Sequence, residues 1–389
     1  MMNVSPTTSH LSTTPSLEEY RAYHMQQVRE GKRKFRILAI DGGGVRGVIP
    51  SMVLQYIEKQ TGKPICELFD LVSGTSTGAL LAVTLAVPQN TATPKTSDEG
   101  EIKIDEKPGN NKEKSANSNY HPLLVPRYTA VQSTELYYKE IPRIFKTNLY
   151  RKIITGFGLK AARYSSTTKR QVIEEYVGDL TLKDTLVDVL VPTFDVREGI
   201  PYFFSSWYAR MNSRKNWPLR TVLDATSSAP TFFNVTKSNP GYDELPKLGY
   251  RLFTDGALTA NCPALCAAVE AVKRYRLTPD QIVIVSLGCG DADITKNFED
   301  VNRWGALNWL SYFGESLISS SMNTVKYQLQ EIMPVQGYWR FQANLDAAHS
   351  SIDDSSPGNL NYLTKTGQDL VAKEKARLDE AINILVQGL

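Results

Sequence analysis

The chain of 389 residues lacks several features that mark common classes of protein. Its formal net charge is only +3, too small to indicate nucleic acid as a partner. Residues 1–17 are polar and rich in Ser and Thr, with no apolar core, so we expect no Sec signal peptide. The apolar run at 79–87 is far too short to cross a bilayer. We therefore expect a globular protein without a spanning segment.

Metal-ligating and disulfide-forming patterns are also scarce. The four cysteines form no C-x-x-C pair and have no histidine nearby; they are Cys66, Cys262, Cys266 and Cys289. This argues against a zinc site or a disulfide framework, and reduced thiols suit a cytoplasmic location. No EF-hand-like loop and no compact carboxylate cluster accompanies the motifs below, so neither a metal nor another cofactor is predicted. The four histidines all lie in or beside polar stretches.

The most informative stretch that is present is Gly74-Thr75-Ser76-Thr77-Gly78. It lies between two apolar runs, at 68–72 and 79–83. Strand, tight turn and helix form the context in which a G-x-S-x-G motif exposes a nucleophilic serine. Gly74 and Gly78 let the backbone bend sharply, and the N-terminus of the following helix favours a developing anion. The alternative for this stretch is an ordinary glycine-flanked turn.

A glycine loop, Asp41-Gly42-Gly43-Gly44-Val45-Arg46-Gly47, follows the apolar strand pattern at 35–40. Its spacing matches the dinucleotide fingerprint, which needs an acidic residue at the end of the next strand. Asp70 opens that strand, and Ser76 occupies its end. No Gly-Lys-Ser/Thr is present for a P-loop. Consecutive glycine N–H groups instead favour an oxyanion hole.

A third motif, Asp255-Gly256-Ala257, follows the strand-like run at 250–254. An Asp beside a glycine at a strand end stands where α/β enzymes keep catalytic groups. A turn-forming Asp is the alternative.

Together these motifs resemble the patatin family of lipid acyl hydrolases, in the family's order, over roughly residues 35–370. The segment at 225–233 is similar to the family's proline-containing segment. The resemblance implies a three-layer α/β/α sandwich with a mainly parallel central sheet. It implies a Ser-Asp dyad, with Ser76 as nucleophile and Asp255 as base. It also implies an oxyanion hole formed by the N–H groups of Gly43, Gly44 and Thr77. Arg46 would steady the loop, face lipid phosphate or be a solvated arginine at the start of a helix.

The function expected from this resemblance is hydrolysis of acyl esters of glycerolipids, of the phospholipase A or lysophospholipase type, without calcium. The partner would be a membrane or micellar glycerolipid, with peripheral membrane contact and no nucleic acid. Three alternatives stay open: an acyltransferase that uses the same acyl-serine, a Ser-His-Asp esterase, and a lipid-binding protein with a dead site.

The remaining composition suggests three parts. A polar segment covers 1–34, a catalytic domain covers 35–345, and a helical extension with an amphipathic pattern at 370–385 covers 346–389. An insertion at 88–126, polar and expected to be mobile, would be either a lid or a tolerated surface loop. The basic cluster at 29–36 would be a solvated linker or would attract anionic membranes. The aromatic stretch at 304–317 would lie in a lipid interface or close one end of the core.

Overall fold

A mixed sheet forms the centre of the computed structural model, which describes residues 16–89, 125–147, 160–238, 249–292 and 294–388. Its strands, in chain order, are β1 (Phe35–Ile40), β2 (Leu71–Gly74), β3 (Asp188–Asp195), β4 (Ile200–Ser205), β5 (Thr236–Lys237), β6 (Leu252–Thr254), β7 (Ile282–Leu287) and β9 (Tyr338–Phe341), with β8 (Asp291–Ala292) and β10 (Asn344–Leu345) forming a small separate pair. The order is β5-β6-β3-β2-β1-β7-β9, and β4 also pairs with β3. The five strands β3, β2, β1, β7 and β9 are parallel, whereas β4, β5 and β6 pair in antiparallel fashion at one side.

Helices surround this sheet. Among the described residues they are Leu17–Arg29, Val48–Thr61, Ile65–Leu68, Thr77–Thr84, Ala130–Lys139, Ile141–Ile144, Ser166–Val177, Ser206–Met211, Leu219–Thr226, Ala257–Ala260, Ala264–Tyr275, Phe298–Val301, Ala306–Ile332, Pro357–Lys373 and Lys375–Val386. The strand that precedes Ser76 is shorter at its start than the sequence predicts. The run at 68–72 is divided between the end of the helix Ile65–Leu68 and the start of β2, which continues into Gly74.

The two faces of the sheet are both buried. On β1, Leu38 and Ile40 belong to one hydrophobic cluster, and Ile37 and Ala39 belong to the other. This alternation is what a strand covered on both sides requires, because successive side chains point to opposite faces. Helices cover each cluster, so the predicted three-layer α/β/α sandwich with a mainly parallel sheet is confirmed.

Both interpretations of the N-terminal basic cluster are wrong for Arg33 and Arg36, whereas its other members, Arg29, Lys32 and Lys34, are exposed. Arg33 and Arg36 are buried, with 5% and 0% of their surfaces exposed. Arg33 donates two hydrogen bonds to Asp70, at 2.8 and 2.6 Å. The helix Leu17–Arg29, which begins with a capping box at Ser16, precedes this pair and buries Val28. The carboxylate that neutralises Arg33 lies far along the chain, so composition around Arg33 could not reveal it.

The two ends of the predicted insertion lie side by side. Pro88 and Pro126 form an antiparallel bridge, and the N–H of Gln89 donates to the carbonyl of Val125 at 2.9 Å. The rest of the insertion, 90–124, lies outside the described residues.

The C-terminal pattern at 370–385 was predicted as one helix but spans two. Pro357–Lys373 ends at Glu374, and Lys375–Val386 follows it directly. Leu363, Leu378 and Leu385 are buried in the same cluster as Leu38 of the central sheet. The C-terminal extension therefore packs its apolar side chains into the same hydrophobic core as one face of the central sheet.

Candidate active site

Ser76 occupies a strained turn between β2 and the helix Thr77–Thr84. Its φ of 54° and ψ of −124° lie in a region that side-chain-bearing residues rarely adopt. A Cβ at Gly74 would meet Ala79 N at 2.6 Å, and one at Gly78 would collide with the backbone of Ile40. The two flanking glycines are therefore required by close backbone approach. This is the geometry that projects a serine from the end of a central strand.

The Ser76 hydroxyl donates a hydrogen bond to the Asp255 carboxylate, with 2.8 Å between Oγ and Oδ2. The route that brings Asp255 there differs from the expected one. β6, which Asp255 follows, runs antiparallel to β3 along the part of β3 that extends beyond β2. Because β6 is antiparallel to β3, its C-terminal end points toward the turn that carries Ser76, and Asp255 follows that end. The sequence identified the strand end correctly, but not the direction of the strand.

The Asp255 carboxyl is buried, with only 3% of the residue exposed. Burial raises its pKa from the ordinary 3.8 to about 6. Hydrogen bonds from the Ala257 N–H, at 2.8 Å, and from Ser76 favour the charged form and oppose this rise. The cation of Lys169 opposes it as well. The result is a carboxylate more basic than usual, yet ionised at neutral pH.

Lys169 is itself buried at the edge of the same site. Its ammonium pairs with Asp224 Oδ1 at 3.0 Å and donates to Ser228 Oγ at 2.8 Å. The Ser228 carbonyl accepts the Asp255 N–H at 3.1 Å. The segment at 225–233, which resembled a family segment, therefore holds the backbone of Asp255 in place. Lys169 carried no sequence signal that pointed to this role.

The glycine loop is fixed from outside its own sequence. Arg340, on β9, forms a bidentate ion pair with Asp41, at 2.9 and 2.5 Å. Gly42 exchanges hydrogen bonds with Asn261, its N–H donating to the Asn261 carbonyl at 3.0 Å. The Arg46 Nε donates to the Gly43 carbonyl at 3.4 Å, which favours the loop-steadying role for Arg46. Neither Arg340 nor Asn261 was predicted from the sequence.

Gly44 has a φ of +59°, and a Cβ there would collide with the Ile352 backbone. Among the described residues, the N–H groups of Gly43, Gly44 and Thr77 donate no hydrogen bond to another residue. All three residues line the cavity that contains Ser76. Three backbone donors are thus left available beside the serine.

The remaining predicted loop residues support the site through packing. A Cβ at Gly47 would overlap the Tyr137 ring, with Cε1 at 2.6 Å. The Gly256 N–H donates to the Thr226 carbonyl at 3.0 Å, and the Ser76 N–H donates to Thr226 Oγ1 at 3.1 Å. Thr226 therefore ties the serine turn to the turn after Asp255.

The cavity has a volume of about 360 Å³, within the range of small-molecule sites. Its walls are mainly apolar and include Leu80, Ile141, Ile144, Phe145, Phe232, Phe233, Leu258, Ile318 and Ile352. The polar side chains that line it are those of Ser76, Asp255, Lys169, Arg46, Thr77, Ser227 and Asn261. An apolar cavity with a few convergent polar groups is suited to a long hydrocarbon chain that carries one reactive group.

The described histidines do not line this cavity. His24 is buried beside Arg33, and burial together with that charge lowers its pKa to about 3. His349 stacks on Tyr362, with ring centroids 3.7 Å apart. His10 and His121 lie outside the described residues. Within the described ranges, no three His, Cys, Asp or Glu side chains come together in a way that could hold a metal ion.

In the dinucleotide interpretation, an acidic residue at the C-terminal end of β2 would bind the ribose. Asp70 instead precedes the N-terminal end of β2, where it pairs with Arg33. Comparison with known proteins instead matches residues 38–268 to a family described as patatin-like phospholipase. The chain belongs to the patatin-like phospholipase family. Membership in this family implies lipid acyl hydrolase activity and a lipid substrate.

Curated relatives from plants align with most of the chain. Patatin-like protein 2 of Oryza sativa subsp. indica is 29% identical, covering 88% of this chain and 85% of the rice protein. Patatin-like protein 2 of Arabidopsis thaliana is 28% identical, with 88% and 84% covered, and Patatin-03 of Solanum tuberosum is 25% identical, with 87% and 84% covered. Among solved structures, VipD from Legionella pneumophila aligns at 12% identity with a TM-score of 0.44, covering 90% of this chain and 67% of that one. None of the helices that the structure describes has the length and apolar character needed to span a membrane.

Proposed function

We propose that the protein hydrolyses acyl esters of glycerolipids, as a phospholipase A or lysophospholipase, through an acyl-serine intermediate on Ser76. The observation that carries this proposal is the 2.8 Å hydrogen bond from Ser76 Oγ to a buried Asp255 carboxylate, at a strained turn that faces an apolar cavity. A buried, correctly oriented base is what a serine needs in order to act as a nucleophile.

In the acylation step, Ser76 Oγ attacks the ester carbonyl carbon while its proton passes to Asp255. The bond to the glycerol oxygen then breaks, and Asp255 returns the proton to that leaving oxygen. In deacylation, a water molecule gives its proton to Asp255 and attacks the acyl-serine. The fatty acid leaves, and the proton returns to Ser76 Oγ. A pKa of about 6 makes Asp255 a better base than an ordinary carboxylate while leaving it ionised near neutral pH.

Each tetrahedral intermediate carries a negative oxygen that needs hydrogen-bond donors. The unbonded N–H groups of Gly43, Gly44 and Thr77 would supply them, and Thr77 adds the N-terminus of its helix. One donor of this kind contributes about 3 kcal/mol to transition-state stabilisation in serine proteases. Strong oxyanion stabilisation would compensate for the use of a carboxylate in place of a histidine.

The proposal includes a cytoplasmic location with peripheral membrane contact. All four cysteines are free thiols, and three of them are buried. Free thiols fit a reducing compartment.

A glycerolipid panel tests the proposal. The parent protein would be incubated with diacyl phospholipids of several head groups, lysophospholipids and triacylglycerol, and the products would be identified by mass spectrometry. We expect free fatty acid and the matching lyso product from at least one class. Ser76→Ala should abolish release, whereas Ser320→Ala, a matched change at an exposed serine, should not. Transfer of the acyl group to an added alcohol with no free fatty acid would instead show an acyltransferase.

A further inference from the structure

Exposed apolar side chains are concentrated on the first half of the helix Ala306–Ile332, next to the Ser76 cavity. We propose that this half, which we call the interfacial helix and define as residues 306–318, inserts into the interface of a phospholipid bilayer and positions the cavity over its substrate. This inference rests on the lipid hydrolysis proposed above. It names the surface by which the enzyme would reach a lipid in a membrane.

Four large apolar side chains of the interfacial helix lie open to solvent. Leu307 is 82% exposed, Leu317 65%, Phe313 48% and Trp309 40%. Trp309, Phe313 and Leu317 follow one another at intervals of four residues, so they form one row along the helix. The prediction that the stretch at 304–317 closes one end of the core is wrong for these four side chains. Burying such a row in another apolar medium would be favourable.

The exposed row is adjacent to the cavity. Gly314 and Ile318 line the cavity, and each directly follows an exposed residue, Phe313 or Leu317. The helix therefore presents one row to solvent and the neighbouring row to the site. Leu258, on the helix Ala257–Ala260, also lines the cavity and is 56% exposed. Exposed apolar side chains from two neighbouring helices thus lie beside the cavity.

The chemistry of the surface favours a lipid interface. Trp304, Trp309 and Tyr312 contact one another edge to face, with Trp304 centroids 5.2 Å from Trp309 and 5.1 Å from Tyr312. Trp and Tyr combine an apolar ring with a polar atom, and they are enriched where hydrocarbon meets head groups. The sequence from 304 to 325 contains a single charged residue, Glu315. Apolar insertion, rather than attraction to anionic lipids, is therefore the expected mode of binding.

The test compares vesicles with a soluble ester. The variant Leu307→Gln/Phe313→Gln/Leu317→Gln replaces three of the four exposed apolar side chains with a good helix former, adds no charge and keeps Trp309. The matched control is Tyr327→Gln, which removes a 64%-exposed aromatic ring from the same helix. Tyr327 lies 14 positions beyond Phe313, or about 21 Å along the helix axis. Circular dichroism would verify that each variant is folded.

Binding to phosphatidylcholine vesicles would be measured by co-sedimentation in the Ser76→Ala background, so that the vesicles stay intact. We expect the triple variant to bind at least tenfold more weakly than its parent and the Tyr327→Gln control to bind equally. In the active background, vesicle hydrolysis should fall at least tenfold, while kcat/KM for p-nitrophenyl butyrate stays within twofold. Brominated phosphatidylcholine should quench tryptophan fluorescence in the parent.

Unchanged vesicle binding by the triple variant would overturn the proposal. Binding only to anionic vesicles would also overturn it. The proposal would also be overturned if the parent did not bind vesicles but formed a dimer that the triple variant disrupts. A second copy of the chain would then cover the surface. Failure of the parent to hydrolyse any ester would refute the proposed function instead, and the Ser76→Ala binding assay would still report on the surface.

Discussion

Replacing Asp255 with Asn should abolish activity and make the protein more stable at neutral pH. Asn keeps the shape of the side chain and can still accept the Ala257 N–H, but it cannot take a proton from Ser76. We expect kcat/KM for a soluble ester to fall at least a thousandfold, within the range that acid–base catalysis contributes. In the parent, kcat/KM should rise with pH through an inflection near the pKa of about 6.

The stability effect follows from the same pKa. A rise from 3.8 to about 6 corresponds to about 3 kcal/mol of preference for the protonated carboxyl in the folded state. Because the folded pKa is raised, the native state binds the proton more tightly than the unfolded chain. The parent should therefore lose up to about 3 kcal/mol of unfolding free energy from this group as pH rises from about 4 to about 6. Asp255→Asn should lack that loss, so it should be the more stable protein at pH 7.5.

Guanidinium unfolding of parent and variant at several pH values, alongside ester hydrolysis, measures both effects. Asp369→Asn, at an exposed helix position, is the matched control and should change neither. The reasoning is refuted if Asp255→Asn keeps more than a tenth of the activity. It is also refuted if the stability difference between parent and variant does not depend on pH.

Three further predictions concern the surroundings of the dyad. Lys169→Met should move the acid limb of the kcat/KM profile to higher pH, because a buried cation that favours the charged form of Asp255 is lost; an unchanged inflection would contradict this. Asp41→Asn leaves the guanidinium of Arg340, whose side chain is only 13% exposed, without its anion. We expect the unfolding free energy, measured in guanidinium, to fall by about 3–5 kcal/mol, and a loss below about 1 kcal/mol would not fit. Activity should persist in EDTA, and complete loss that calcium restores would show a metal requirement.

Much of the candidate site could be predicted because its motifs are local. The Ser76 turn and the glycine loop each follow a parallel strand, and parallel strands bring their carboxyl ends to one edge of a sheet. The direction of β6 could not be predicted, because strand pairing depends on partners distant in sequence. Arg340 and Lys169 were missed for the same reason. Arg340 meets Asp41 across 299 positions, and no local pattern records such a contact.

The two buried arginines of the N-terminal basic cluster show the same limit of local patterns. Arg33 and Arg36 occur in a run of charges that is typical of a solvated segment. Asp70 accepts hydrogen bonds from the Arg33 guanidinium and from the backbone N–H of Arg36, and the Arg36 guanidinium donates to the carbonyl of Gln387. A charge pattern gives the number of charges along the chain but not the distance to a neutralising partner in the fold.

Covalent labelling tests the central claim, that Ser76 is a nucleophile activated by Asp255, most directly. The parent would be treated with a fluorophosphonate probe, and the adduct would be located by peptide mass spectrometry. We predict one adduct per chain on Ser76, none in Ser76→Ala, and much slower labelling in Asp255→Asn. Equal labelling of parent and Ser76→Ala, or an adduct on a different residue, would contradict the assignment.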